Sequence, residues 1–155
     1  MKKLILLPII FLFISCASYT PVEMSPLTQQ FQIDKEKDEL YISANNWMVE
    51  NFNNAKSVIQ FSDKESGTVT GKYLLKETYT YSGYTASEVG IYAIIKLQVK
   101  DGAAKITVTS DNFQSVTSAL VDEQYRYGKE DAEAQVNGLI SSFEQYMLND
   151  TSGNW

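Results

Sequence analysis

The stretch Ile95-Lys96-Leu97-Gln98-Val99-Lys100-Asp101-Gly102-Ala103-Ala104-Lys105-Ile106-Thr107-Val108 decides the fold. Apolar residues alternate with polar ones on both sides of Asp101-Gly102, the period of a half-buried strand. An Asp-Gly pair suits the two central positions of a type I′ turn, which closes a hairpin with a two-residue loop. With Lys100 opposite Ala103, Val99 faces Ala104, Leu97 faces Ile106 and Ile95 faces Val108, so the apolar sets of both strands fall on one side. Turn chemistry and side-chain parity specify the same hairpin independently.

Working outward, period-two patterning predicts strands over residues 56–62, 67–81, 88–100 and 103–113, with turns at 63–66 and 101–102. Upstream, Leu27, Phe31 and Ile33 mark a short first strand that ends at Asp34, a residue suited to an N-cap. Leu40, Ala44, Trp47, Met48 and Phe52 then recur at helical spacing, predicting a helix over 35–53 that Asn51, Asn53 and Asn54 bring to a stop. This Trp and Met stripe reads as core rather than as a ligand pocket. Downstream, Ala132, Val136, Leu139, Ile140, Phe143 and Met147 predict a second helix over 130–148, with Glu130, Asp131 and Glu133 favouring the positive end of its dipole. Gly138 inside it either permits close approach to the sheet or is tolerated at a cost of about 1 kcal/mol. The order strand, helix, four strands, helix predicts an α+β two-layer sandwich, an antiparallel sheet of about five strands with two helices on one side. The apolar side would comprise Val69, Tyr73, Leu75, Ile91, Ile95, Leu97, Ile106 and Val108. The opposite side stays open.

The N-terminus sets the compartment. Met1-Lys2-Lys3 followed by an apolar run to Ile14 has the layout of a signal peptide, and the run is too short for the roughly 20 residues that a spanning helix needs. Residues 1–15 are therefore expected to be removed. Phe13-Ile14-Ser15-Cys16 resembles a bacterial lipobox, with bulky Ile14 departing from the usual small residue and the looser form typical of Bacteroidota. Cys16 is the expected site of lipid attachment, its thiol carrying diacylglycerol and its amino group a further acyl chain such as palmitate. Two or three chains make such anchoring effectively permanent. Residues 16–26, with Pro21 and Pro26, read as a tether, 27–149 as one domain and 150–155 as a polar tail. The sequence after Cys16 lacks an acidic cluster of the kind that directs surface export, so the expected place is the outer membrane facing the periplasm.

Composition excludes much chemistry. The chain has 155 residues, no His and one Cys, so a Ser-His-Asp triad, a Cys-His dyad and a His-ligated metal are all ruled out within it. Loss of residues 1–15 leaves 11 basic against 19 acidic residues, a charge of minus 8. An acidic protein outside the cytoplasm has no electrostatic basis for general nucleic-acid binding. The segment Gly67-Thr68-Val69-Thr70-Gly71-Lys72 is one residue short of a phosphate loop, has Tyr73 in place of the hydroxyl residue, and lies in a strand. No cofactor is expected.

A family resemblance rests on Asp38-Glu39-Leu40-Tyr41, Trp47, Phe52, Ala55-Lys56-Ser57-Val58-Ile59-Gln60, Asp63-Lys64-Glu65-Ser66-Gly67, Gly71 and the hairpin Val99-Lys100-Asp101-Gly102. Together these resemble the Bacteroidota domain of unknown function 4468, over residues 27–115. The resemblance implies a secreted protein or lipoprotein with a TATA-binding-protein-like fold, and it carries no established activity or site residues. The fold label confers no DNA binding.

The open sheet side is predicted to display Lys72, Leu74, Lys76, Tyr92, Ile94, Lys96, Gln98, Lys100, Lys105, Thr107 and Thr109. Lysines interleaved with Tyr92 and two aliphatics suit an anionic or mixed polar partner, an envelope protein or glycan. Lysines on exposed strands also keep a sheet soluble. Tyr79, Tyr81 and Tyr84 around Gly83 form an aromatic loop of recognition type, and Tyr125 and Tyr127 form a second pair. The parity of residues 77–81 would turn Glu77 into the apolar side unless a bulge intervenes. The leading expectation is a non-enzymatic binding module. Its alternative is a cofactor-free periplasmic hydrolase or small-ligand carrier, with Glu77 and Glu88 as the first acid pair to test.

Overall fold

The computed structural model describes residues 20–21, 24–52, 54, 57–82, 85–111, 113–115 and 126–149. Cys16, Tyr84, Tyr125 and the tail 150–155 lie outside these, as do the expected signal peptide and most of the expected tether.

The elements in chain order are β1 (Thr20–Pro21), β2 (Leu27–Gln32), α1 (Lys37–Asn51), β3 (Val58–Asp63), β4 (Thr68–Ser82), β5 (Thr85–Lys100), β6 (Ala103–Asp111), β7 (Gln114–Ser115) and α2 (Lys129–Asn149). Strands β2 to β6 form one antiparallel sheet in the order β2-β6-β5-β4-β3, and β1 pairs with β7 in a separate two-stranded piece. The α+β sandwich expected from the sequence is therefore the observed fold. The β5–β6 register is the expected one, Val99 with Ala104, Leu97 with Ile106, and Ile95 with Val108. The apolar side of the sheet is buried beneath α1 and α2, where Phe143 packs edge-on against Trp47 at 5.2 Å and tilted against Phe31 at 6.2 Å. Met24 is also buried in this core, upstream of the expected domain start at Leu27.

Helix α1 starts two residues later than expected, and Asp34 does not cap it. Its N-cap is Glu36, which makes no side-chain capping bond. The cap comes instead from the hairpin turn: Lys37 N–H donates to Asp101 Oδ1 at 2.8 Å. In the same place Ile33 N–H donates to Gly102 O and Gly102 N–H to Lys35 O, both at 3.0 Å. Gly102 sits at φ 75°, a conformation that favours glycine. The turn that fixes the sheet register thus also seats the helix. At its other end α1 stops at Asn51, with Phe52 as its C-cap at φ −89° and ψ 47°; Asn53 lies outside the described residues. Phe52 packs tilted against Tyr73 at 5.4 Å, and its ring fills the space where a Cβ on Gly71 would lie.

Helix α2 begins with Asp131 Oδ2 accepting from Gly128 N–H at 2.7 Å, the returning half of a capping box. Gly138 is exposed with open space around it, so of its two readings the structure supports simple tolerance. Among the described residues no helix is long and apolar enough to cross a membrane.

Candidate functional site

The open side of the sheet is set by register. Thr70, Lys96 and Thr107 form one row across β4, β5 and β6, and Lys72, Ile94 and Thr109 form the next. Gln98 and Lys105 form a third row, which Gln30 extends onto β2. Directly opposed residues share a face, so these groups stand together on the side away from the helices.

One irregularity rearranges the site. The β4–β5 register shifts between Leu74 and Lys76, leaving Leu75 as an extra residue. A bulge of one residue reverses side-chain parity beyond it. Lys76 is consequently in register with Ile91, which lies in the core, and does not belong to the open face as expected. Glu77, opposite Gly90, and Tyr79, opposite Glu88, take the open-face parity instead. Past the last β3–β4 pair, Val58 with Lys72, Leu74 N–H donates to the buried Ser57 Oγ at 2.9 Å. Leu74, in register with Tyr92, keeps its expected place on the open face but is buried there.

The expected tyrosine loop is in fact a ribbon. β4 and β5 pair continuously out to Ser82 with Thr85, so Tyr79 and Tyr81 are strand residues, with Tyr81 in register with Ala86. Tyr127, the second expected recognition tyrosine, is buried; its ring meets Phe113 edge-on at 5.8 Å and its hydroxyl donates to Gln135 Oε1 at 2.8 Å. Burial pushes that hydroxyl above the usual tyrosine range, with the charge of Asp131 adding to the effect. Glu77 and Glu88 fall on diagonal positions of the ribbon, both exposed.

The lysines divide sharply. Lys72 is engaged twice within the fold: its Nζ lies 2.7 Å from Asp111 Oδ2 and 4.2 Å from the centroid of the Tyr92 ring. That contact also holds Tyr92, whose ring fills the space where a Cβ on Gly90 would lie. Lys96, Lys100 and Lys105, by contrast, have no ion-pair partner among the described residues. Lys96 and Lys100 sit diagonally to either side of Lys105, an offset of roughly 7–8 Å. Beside them an open depression of about 280 Å³ is lined by Gln30, Ser66, Gln98, Lys100 and Lys105 together with Val99, Ala103 and Ala104. Among the described residues no acidic side chain lines it. The sequence pointed to these lysines and to Gln98; Gln30 comes from β2 and Ser66 from the turn before β4, and no local pattern announces those two. Among the described residues no group of Asp, Glu, His or Cys stands ready to hold a metal ion.

The family model for a domain of unknown function with TBP-like fold, DUF4468, matches residues 28–114. The chain belongs to the DUF4468 family. Solved structures similar to this DUF4468 chain include a DUF4468 family protein from Bacteroides ovatus, 17% identical with a TM-score of 0.48, the match covering 78% of this chain and 81% of that one. Another is a TBP-like protein from Parabacteroides distasonis, 15% identical with a TM-score of 0.49, covering 77% and 92% respectively. Comparison with curated proteins gives no match. The DUF4468 match ends before α2, which rests on its own amphipathic pattern and its buried face.

Proposed function

We propose that the protein is a non-enzymatic binding module of the cell envelope, held by lipid on Cys16 at the outer membrane facing the periplasm, which engages an acidic envelope component through the open side of its sheet. The observation that carries this reading is the group Lys96, Lys100 and Lys105, without an ion-pair partner among the described residues, of which Lys100 and Lys105 line a depression that no described acid lines. A chain of net charge minus 6 gathers uncompensated positive charge in one place, and such a local field favours an acidic protein surface or an acidic glycan. Gln30 and Gln98 add donors and acceptors suited to a polar partner. Tyr92, fixed by Lys72, supplies a rigid aromatic surface two rows beyond Lys96 on the same face. The hydrolase alternative is weaker, because Glu77 and Glu88 both stand exposed, without the desolvated surroundings that general-acid use of a carboxyl needs.

Affinity capture from detergent-solubilised envelope tests the reading. The Lys96→Glu, Lys105→Glu double variant should lose the partner that wild type recovers, while Lys76→Glu, on the other parity of β4, should retain it. Equal recovery by wild type and the double variant would overturn the role of the open face. Mass spectrometry of the mature N-terminus tests the anchor separately: an acylated Cys16 is expected, and an unmodified peptide starting elsewhere would refute it.

A further inference from the structure

Register sorts the open face into rows. From β2 across β6 to β5, one row is Gln32, Ala103 and Lys100, and the next is Gln30, Lys105 and Gln98. The third is Thr28, Thr107 and Lys96, in which Thr28 Oγ1 donates to Thr107 Oγ1 at 3.1 Å. Three lysines, three amides and two hydroxyls fill eight of these nine positions, and Ala103 is the ninth. No acid and no aromatic ring stands among them. Ala103 makes the face dip: its short, buried side chain lies between Gln32 and Lys100 and lines the depression. Of the acids in the two turns beside it, Asp101 Oδ1 accepts from Lys37 N–H at 2.8 Å. Asp63 accepts from Glu65 N–H and Ser66 N–H at 3.2 and 3.1 Å, and Glu65 does not line the depression. The charges of Lys100 and Lys105 therefore have no compensating acid within it.

Surfaces that bind proteins centre on aromatic, Met and Arg side chains around an apolar core, and they are depleted in Lys. These three rows have the reverse composition. They suit a partner that offers hydroxyls and negative charge rather than apolar knobs. A glutamine amide both donates and accepts, as a sugar hydroxyl does, and a lysine brings three donors and a full charge. The depression, about 280 Å³, falls just below the roughly 300–1,000 Å³ of sites that enclose a drug-sized ligand, so it has room for one sugar unit and not for several. We infer that the face binds an acidic polysaccharide. One acidic sugar sits over Ala103, with its anionic group between Lys100 and Lys105 and its hydroxyls on Gln30 and Gln98, and the glycan continues toward Lys96. This assignment rests on the open-face reading proposed above and narrows its acidic partner to a glycan.

Equilibrium binding of the full chain, in mild non-ionic detergent at about 0.15 M ionic strength, to immobilised polygalacturonate, dextran sulfate, polyglutamate and neutral dextran tests the assignment. Wild type should bind polygalacturonate, dextran sulfate or both about tenfold more tightly than polyglutamate or dextran, and the first two arms tell a carboxylate from a sulfate. The Gln30→Ala, Gln98→Ala double variant changes no charge and should weaken polysaccharide binding about tenfold, the loss of two hydrogen bonds. Ala103→Leu, which fills the dip and also leaves the charge alone, repeats the test should the amide variant lower the melting temperature. Polyglutamate bound as tightly as the acidic polysaccharides, or polysaccharide binding that neither uncharged variant weakens, overturns the glycan assignment and leaves the open-face reading standing. A wild type that binds none of the four polymers also overturns the assignment, while the capture experiment above judges the open face by itself. Polysaccharide binding that survives in the Lys96→Glu, Lys105→Glu variant overturns both.

Discussion

Asp101 does two jobs through one side chain. It occupies the two-residue turn between β5 and β6, and its Oδ1 accepts from Lys37 N–H at the start of α1. A helix start left without its cap costs about 1 kcal/mol. Asp101→Ala should therefore lower stability by about that amount in urea unfolding, and Asp101→Asn, which keeps both the acceptor oxygen and the turn preference, should stay within about 0.5 kcal/mol of wild type. Tyr127 governs the alkaline limb. Its folded pKa is raised by burial above the ordinary tyrosine value of 10.0, so its contribution is fully present below that pH. Above it the unfolded chain can ionise while the folded one resists, and stability falls as pH rises. Tyr127→Phe should flatten that fall in alkaline unfolding curves and cost about 1 kcal/mol at neutral pH for the lost bond to Gln135.

At the scale of elements, β4 is decided by a single extra residue. The bulge at Leu75 reverses the parity beyond it, and just before it Leu74 N–H, past the last β3–β4 pair, is satisfied in a buried place by Ser57 Oγ. Ser57→Ala leaves that donor unsatisfied, a loss of about 1–3 kcal/mol, and chemical denaturation should show it with an unchanged slope. The same residue marks where the sequence ceased to be readable. Alternation in 88–100 and 103–113, joined by Asp101-Gly102, gave strands, register and the open face without ambiguity. Alternation in 67–81 could not say where the period slips, because Leu74-Leu75 is apolar on both parities. The misplacement of Lys76 followed from that slip, although Glu77 on the wrong side was its visible symptom. Asp34 misled for a different reason: the cap is tertiary, and Asp101 lies 64 positions from Lys37. Lys72 was legible as an open-face lysine but not as a neutralised one, since Asp111 meets it only after β5 has been placed between their strands.

Across the whole molecule, the core and the candidate binding face occupy opposite sides of one sheet, which separates stability from recognition. Phe143 is fully buried where α2, Trp47 of α1 and Phe31 of β2 converge, so it ties both helices to the sheet. Truncating such a ring costs about 3–5 kcal/mol, a large share of the roughly 5–15 kcal/mol that holds a domain folded. Phe143→Ala should therefore unfold at much lower urea concentration. Whatever fraction remains folded should still present Lys96, Lys100 and Lys105 unaltered, because none of them touches the core. The Lys96→Glu, Lys105→Glu variant should behave in the opposite way, melting within about 0.5 kcal/mol of wild type, as exposed substitutions do, while losing its acidic partner. Measuring urea midpoint and partner recovery on both proteins tests the separation. If the lysine variant also loses several kcal/mol, those side chains hold the fold together, and the open face is scaffold instead of a recognition surface.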